Sequence, residues 1–406
     1  MADPPHRPAP GPRGPRIATL SFGYPSEEAP GRMLFTHEQA KALAAEGAEV
    51  VAIDLGAHLA PRIEVREGIE VHRVPFPTRL RSAPSTLLPA WRRGLGHLRE
   101  VTGALDLALL SFLEHRYLLA LPALRARRRA ITVHGVDAML SDLPPWARWG
   151  RRALLRWADR VFAVSEATAA LLPTSAPVLV VPNGVNRAKL DRALELDRDE
   201  LRRRLGWPSA AKVILSVANL VPRKGLDRLL AADALLMQRG IDALHVVIGR
   251  GPEGAALETQ ARHLGLQDRT RWIPGPLSDA QVAAAIAACD VFALASRTLR
   301  RPAGMEGFGV VYAEASYLGR PVVAGASGGV PEVVVDGVTG FLVDPEAPDA
   351  PGRFADRLET LLGDPVLAER MGRRGRERAL ERYDWRRNAR RVLRATGLSS
   401  DRPDQG

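Results

Sequence analysis

The chain is expected to fold as α/β, with two doubly wound domains facing a central cleft. Three observations predict this. Its 406 residues exceed one ordinary core at roughly 100 to 200 residues per domain. Short apolar runs alternate with amphipathic segments of helical length, the pattern of a parallel sheet covered by helices. The alternation runs twice, interrupted midway by a polar stretch. The expected organisation is a disordered leader at 1–15, a Rossmann-like domain at 16–185, a connector at 186–211, a second Rossmann-like domain at 212–380, a terminal helix at 381–397 and a disordered tail at 398–406.

In the first half, RIATLSF reads as a strand, and a loop containing Gly23, Pro25, Pro30 and Gly31 leads into the amphipathic LFTHEQAKALAAEG and the strand AEVVAIDL. ALDLALLSF, AITVHG, RVFAVS and VLVVPNG read as further strands. RAKLDRALELDRDELRRRLGWP then interrupts the pattern and reads as the connector. The second series pairs KVILSVANL with LDRLLAADALLMQRG, ALHVVIG with GAALETQARHLG, TRWIPG with DAQVAAAIAACD, VFALAS with FGVVYAEASYLG, and PVVAG with VPEVVVDG. The last basic segment, from Asp364, is helical by spacing. Loops at the carboxyl ends of both sheets should meet in the cleft, where ligands bind in such folds.

Composition narrows the function. Apolar residues are 46% and charged residues 25%, the balance of a folded globular chain. The best candidate for a spanning helix, 107–124, carries Glu114, His115 and Arg116 in its middle, which excludes an integral membrane protein. The leader has no apolar h-region and does not read as a signal peptide. Cys289 is the sole cysteine, which excludes a disulfide framework and a Cys-cluster metal site and fits a cytoplasmic protein. The formal charge is +11, with only four lysines: Lys41, Lys189, Lys212 and Lys224. The arginines are scattered and aromatics are 5%, which speaks against nucleic acid and leaves phosphorylated ligands, an anionic membrane or composition alone.

Several loops carry residues suited to chemistry. EGFGVVYAEA, from Glu306, is read as opening a helix, with Gly307 and Gly309 letting a ligand approach unpaired backbone N–H groups. On a continuous helix Glu306 and Glu314 would lie roughly 12 Å apart on nearly one side, gripping an extended polyol ligand or serving as cap and surface charge. Arg223 and Lys224 stand where a helix dipole disfavours cations, a conflict that a diphosphate would resolve. Gly249, Gly251 and Gly254 have G-x-G-x-x-G spacing, but the next strand ends in Pro274 and Gly275 without the acidic residue that binds ribose, so NAD is disfavoured and a tight turn beside a nucleotide or a plain turn remains. His134 follows a strand and faces the cleft, as a structural or a catalytic histidine, with Asp137 a weaker candidate. The loop with Gly31 and Arg32 could close over a phosphate. Asp197-Arg198-Asp199 has the look of a metal site but reads as solvated surface. Trp146, Trp149 and Trp157 share a helical face among arginines, as core or as a membrane-surface helix.

Taken together, VPRKGLD, GRGPEG, EGFGVVYAEA, PVVAGASGGVPEVV and DGVTGFLVDP, with VHGVD and VPNGVN in the first half, resemble the retaining glycosyltransferases of family 4, which have the GT-B fold, and in particular the branch of bacterial mannosyltransferases and polysaccharide glycosyltransferases. The resemblance covers residues 16–397. It implies that Arg223 and Lys224 bind the donor diphosphate, that Glu306 contacts sugar hydroxyls and Glu314 the ribose, and that the backbone of Phe308, Gly309 and Val310 meets phosphate and sugar. Gly31, Gly249, Gly251 and Pro274 complete the donor side, and His134 approaches the transferred sugar from the other domain. The final helix should cross back onto the first domain. Pro30-Gly31-Arg32 departs from the paired glycines of many relatives, and Met305 replaces an acidic residue seen in some.

The expected function is transfer of a hexose from a nucleoside-diphosphate sugar to a glycan or lipid-linked acceptor, with retention of configuration, no metal and no other cofactor. GDP-mannose is the donor the resemblance favours, with UDP-hexoses open. The expected location is cytoplasmic, with peripheral contact to an anionic membrane as one reading of the tryptophan helix. Rival readings are a sugar-nucleotide epimerase on the same scaffold and a non-catalytic nucleotide-sugar-binding protein.

Overall fold

The computed structural model describes residues 14–26, 33–56, 58, 60–76, 84–275, 277–301 and 303–399. The leader before Gly14, the Pro30-Gly31-Arg32 loop and the tail beyond Ser399 lie outside the described residues.

The first sheet comprises β1 (Arg16–Ser21), β2 (Glu49–Gly56), β3 (Arg62–Arg66), β4 (Ile69–Pro75), β5 (Leu105–Leu110), β6 (Ala126–Val133), β7 (Arg160–Ala163) and β8 (Val178–Val180). Their order is β3-β4-β2-β1-β5-β6-β7-β8, parallel except for β3 against β4. The second lobe contains β9 (Lys212–Val217), β10 (Ala243–Ile248), β11 (Thr270–Ile273), β12 (Val291–Leu294), a small hairpin of β13 (Leu299–Arg300) and β14 (Ala303–Gly304), then β15 (Val322–Gly325) and β16 (Gly340–Val343). Its main sheet runs β11-β10-β9-β12-β15-β16, all parallel. Strand order reverses between β1 and β5 and between β9 and β12, so the loops leaving those strands diverge and open a crevice in each lobe.

Near-continuous apolar strands explain the core. Every residue of β12 and β15 is buried, as helices on both faces of a parallel sheet require. The hairpin of β3 and β4 is absent from the sequence reading. RIEVR is charged and mostly exposed, so no apolar pattern announces it. It is set by left-handed backbone at Glu67 (φ 45°) and Gly68 (φ 82°), the turn that suits two-residue hairpins. Buried Arg73 of β4 then pairs with Asp54 of β2 at 2.7 Å and Glu64 of β3 at 2.6 Å.

The expected connector is instead part of the second lobe. Helices Arg187–Leu194 and Arg198–Leu205 are capped by Asn186 and Asp197, and Leu190, Ala193, Leu201 and Trp207 enter that lobe's core. Buried Arg202 pairs with Asp290 at 2.6 Å. Asp197 accepts a hydrogen bond from the Glu200 N–H, so the acid-x-acid stretch serves a helix start. In the tryptophan helix, Pro145–Trp157, the core reading holds for Trp157, which packs against the first lobe's core, and fails for the other two tryptophans. Ala147, Gly150, Leu154 and Leu155 face the core, while Trp146 and Trp149 are 55% and 65% exposed.

The terminal basic segment breaks at Tyr383 and Asp384 into helices Pro365–Arg382 and Trp385–Ala395. The second packs Trp385, Ala389, Val392 and Leu393 against Ile17, Ala42 and Leu43 of the first lobe. Gln39 donates to Asn388 at 3.0 Å, and Asn388 donates to the Pro182 carbonyl at 2.9 Å. Trp385→Ala would open a cavity where Gly184 abuts the ring, at a cost of about 3–5 kcal/mol. Calorimetry should show a lowered first transition, and an unchanged profile would contradict the anchoring role of this helix.

Candidate active site

The second lobe builds its site from the two loops at its switch point. After β9 the chain makes a tight turn at Pro222–Lys224, and Arg297 braces it: its N–H donates to the Arg223 carbonyl at 2.8 Å and its guanidinium to Pro222 O at 2.8 Å and Asp227 at 3.0 Å. After β12 the chain returns with Glu306. Arg223 Nη1 and Lys224 Nζ reach Glu306 Oε2 at 2.9 and 2.5 Å. Ser296 donates to the same oxygen at 3.4 Å, and the buried Tyr312 hydroxyl donates to Ser296 at 2.7 Å. Burial alone would raise the Glu306 carboxyl, but Lys224 and Arg223 outweigh it and hold it below the ordinary carboxylate range. Two cations against one carboxylate leave a net positive charge in a desolvated recess, which favours an anionic ligand.

The first lobe supplies His134, just past β6. Among the described residues neither ring nitrogen has a hydrogen-bond partner, and the ring lies 3.9 Å from that of Phe35. Burial lowers its pKa to about 3, so the imidazole is neutral near pH 7 and has donor and acceptor capacity unspent. Asp137 has a different place from the one expected. Its carboxylate accepts the backbone N–H groups of Leu113 and His134, both at 2.8 Å, and burial raises its pKa to about 6. It organises the loops around His134.

Between the lobes is a cavity of about 640 Å³. Of the residues singled out from the sequence, His134, Arg223, Lys224, Gly249, Glu306, Phe308, Gly309 and Val310 line it. Gly251, Pro274 and Glu314 do not, and Gly31 lies outside the described residues. Gly251 faces backbone, since a Cβ there would fall 2.3 Å from the Leu220 carbonyl oxygen. Pro274 is followed by Gly275, which does line the cavity.

The helix after Glu306 begins later than the sequence reading has it. It spans Val310–Tyr317, with Gly309 as left-handed cap at φ 86°, so Glu306 is on the preceding loop and the two carboxylates do not ride one helix. Glu314 is one turn beyond Val310, and its pKa is raised to about 7, by burial first and by Asp279 second, with Lys189 opposing. Sequence reasoning missed Phe35, Asn219 and Leu277 as cavity residues. Asn183 was visible within VPNGVN, whereas Phe35 has no polar signature.

One other constellation imitates a site. Ser216, His245 and Asp233 are linked at 2.9 and 2.6 Å, but Ser216 and His245 are 0% and 1% exposed and Ser216 also donates to the Ala293 carbonyl. No substrate reaches it, and it ties β9, β10 and β12 together. Among the described residues no group of three or more His, Cys, Asp or Glu side chains is arranged to hold a metal ion, and no helix is long and apolar enough to cross a membrane.

Comparison with known proteins agrees with this architecture. The family description "Glycosyltransferase Family 4" matches residues 34–189, and "Glycosyl transferases group 1" matches 197–378. The chain is 36% identical, over 80% of its length and 84% of the relative's, to the GDP-mannose-dependent alpha-(1-6)-phosphatidylinositol monomannoside mannosyltransferase of Mycolicibacterium smegmatis. It is 35% identical to the D-inositol 3-phosphate glycosyltransferase of Actinosynnema mirum, over 62% of this chain and 60% of that one. Among solved structures it is similar to sucrose-phosphate synthase from Thermosynechococcus elongatus, with a TM-score of 0.75 at 22% identity, covering 94% of this chain and 98% of the other. Anabaena Alr3699/HepE in complex with UDP-glucose superposes with a TM-score of 0.73 at 20% identity, covering 94% and 99%. With its two switch-point crevices opposed across one cavity, the chain belongs to glycosyltransferase family 4 and is a transferase of the GT-B fold.

Proposed function

We propose that this enzyme transfers mannose from GDP-mannose to a lipid-linked acceptor of the phosphatidylinositol mannoside class, with retention of configuration and without a metal. The observation that carries the reading is the convergence of Arg223 and Lys224 on Glu306 inside a cavity that His134 closes from the other lobe. The donor and acceptor come from the relatives, whose names specify GDP-mannose and phosphatidylinositol mannosides. A UDP-hexose donor is the second reading, favoured by the UDP-glucose complex of a structural neighbour.

In this mechanism the diphosphate settles on Arg223 and Lys224, whose charges replace a metal in stabilising the departing nucleotide. Phe308, Gly309 and Val310 present backbone to phosphate and sugar, since the helix they open has no side-chain cap over its first N–H groups. Glu306, displaced from full pairing as phosphate oxygens take up the cations, accepts hydrogen bonds from sugar hydroxyls. Glu314 shares the face of Val310 one turn on, and the ribose extends towards it. Neutral His134 hydrogen-bonds the transferred sugar. A donor phosphate oxygen receives the proton of the acceptor hydroxyl on the face from which the nucleotide leaves, so no protein nucleophile is needed.

The acceptor would be met at a membrane surface on the cytoplasmic side. Trp146 and Trp149 project from the helix Pro145–Trp157 beside exposed Arg148, Arg152 and Arg156. The loop before that helix reaches the other lobe, where Asp142 accepts the Ala303 N–H. A lipid surface held by this helix would adjoin the contact between the lobes at Asp142 and Ala303.

Glu306→Ala should lower kcat by roughly 10²–10³ while leaving binding of free nucleotide largely intact, as judged by radiolabelled donor transfer and thermal shift; equal turnover would remove its assigned role. Lys224→Ala should weaken a nucleoside diphosphate by about tenfold or more and leave the nucleoside unchanged. A thermal-shift panel of GDP, UDP and their sugars tests this and chooses the donor. Flotation with anionic vesicles should recover the wild-type chain in a salt-sensitive manner and lose the Trp146→Ala/Trp149→Ala variant. Equal recovery of both would refute the membrane-facing assignment.

A further inference from the structure

Resting on the transferase reading of the cleft, we infer that Ser165 and Glu332, neither of which lines the cavity, are positioning residues that latch the two lobes together and set the distance between His134 and Glu306. The contact is built from both sides. Ser165 follows β7, accepts the Thr168 N–H at 3.0 Å and donates its hydroxyl to the Gly307 carbonyl at 2.7 Å. From the second lobe, the Glu332 carboxylate brackets the same turn, with Oε2 accepting the Glu166 N–H at 2.9 Å and Oε1 the Ala167 N–H at 3.1 Å. These are charge-assisted bonds to backbone donors that, among the described residues, no group of the first lobe satisfies.

The latch acts directly on the site. Gly307 is the residue between Glu306 and Phe308, and the Gly329 N–H donates to the Glu306 carbonyl at 2.9 Å, three residues before Glu332. Packing here tolerates only glycine. A Cβ on Gly307 would lie 1.8 Å from the His134 carbonyl oxygen, and one on Gly329 would lie 2.3 Å from the Gly307 carbonyl oxygen and 2.8 Å from Ser165 Cβ. The backbone of His134 thus rests on the loop that carries Glu306, and Ser165 and Glu332 hold it there. Separation of the lobes by even an ångström breaks all three hydrogen bonds together, so the latch reports closure as a cooperative event.

The test uses the full chain with Ser165→Ala, Glu332→Ala, Glu332→Gln and the Ser165→Ala/Glu332→Ala double variant. Gln presents an amide donor to one of the two backbone N–H groups, so it should behave nearly as Ala does. The expected result is a fall in kcat of roughly 10- to 100-fold in the double variant, with the Kd for free nucleotide changed less than about twofold, because the side chains assigned to the diphosphate and ribose, Arg223, Lys224 and Glu314, all belong to the second lobe. Small-angle scattering in saturating nucleotide should show a larger radius of gyration than wild type, with circular dichroism unchanged. Wild-type kcat and an unchanged radius in the double variant would overturn the latch. A wild-type chain that turns over no sugar nucleotide would instead defeat the transferase reading, and the scattering comparison would still decide the latch.

Discussion

A carboxylate buried beside two cations is the constraint around which the second lobe is arranged. Glu306 inside a desolvated recess is tenable only while Lys224 and Arg223 face it, since an unpaired buried charge costs several kcal/mol. Those cations come from a different loop, so the turn at Pro222–Lys224 has to be held in register with the return from β12. Arg297 does this by binding the turn's carbonyls. The parallel sheet supplies the geometry, because β9 and β12 are neighbours whose outgoing loops part at the switch point. An anion entering this recess gains cationic partners that are already in place, which is preorganisation for a leaving diphosphate.

The first lobe contributes shape and a neutral polar group where the second contributes charge. His134 is held by its backbone through Asp137, leaving its ring nitrogens unspent in an apolar setting of Phe35 and Phe112. The chain passes between the lobes at 181–186 and again at 383–385, and the Val185 N–H joins the two crossings by donating to the Tyr383 carbonyl at 2.9 Å. Rotation of one lobe on the other has to be absorbed there. The helix Trp385–Ala395 secures the far side of that crossing, and its arginines 386 and 390 pair with Glu46 at 2.9 and 2.8 Å.

Much of the site was legible because its residues stand in loops directly after apolar strands, with glycines where backbones come close. Arg223, Lys224, Glu306, Phe308 and His134 all have that signature. The departures have local causes. Gly309 adopts a left-handed conformation and delays the helix to Val310, which a run of helix-compatible residues does not reveal. The hairpin of β3 and β4 is charged along its edge, so its turn geometry and not its hydropathy defines it. The connector is arginine-rich, yet Arg198 and Arg202 are consumed by Asp290, and Leu201 between them faces inward with Leu190, Ala193 and Trp207. Trp146 and Trp149 face outward because Ala147 and Gly150 are small enough to let the helix lie close to the lobe, with Gly150 against His115.

From the sequence alone came the two doubly wound halves, the site loops of the second half and the family, because each depends on short-range pattern: apolar periodicity, glycine placement and contiguous motifs. Folding in three dimensions decided which residues share the cavity, that Arg223 and Lys224 converge on a single carboxylate oxygen, and that Ser165 and Glu332 join the lobes. Those contacts span 82 to 166 positions of chain. Local propensity carries no information across such separations, and only the packing of one sheet against its helices and of one lobe against the other brings the partners within hydrogen-bonding distance.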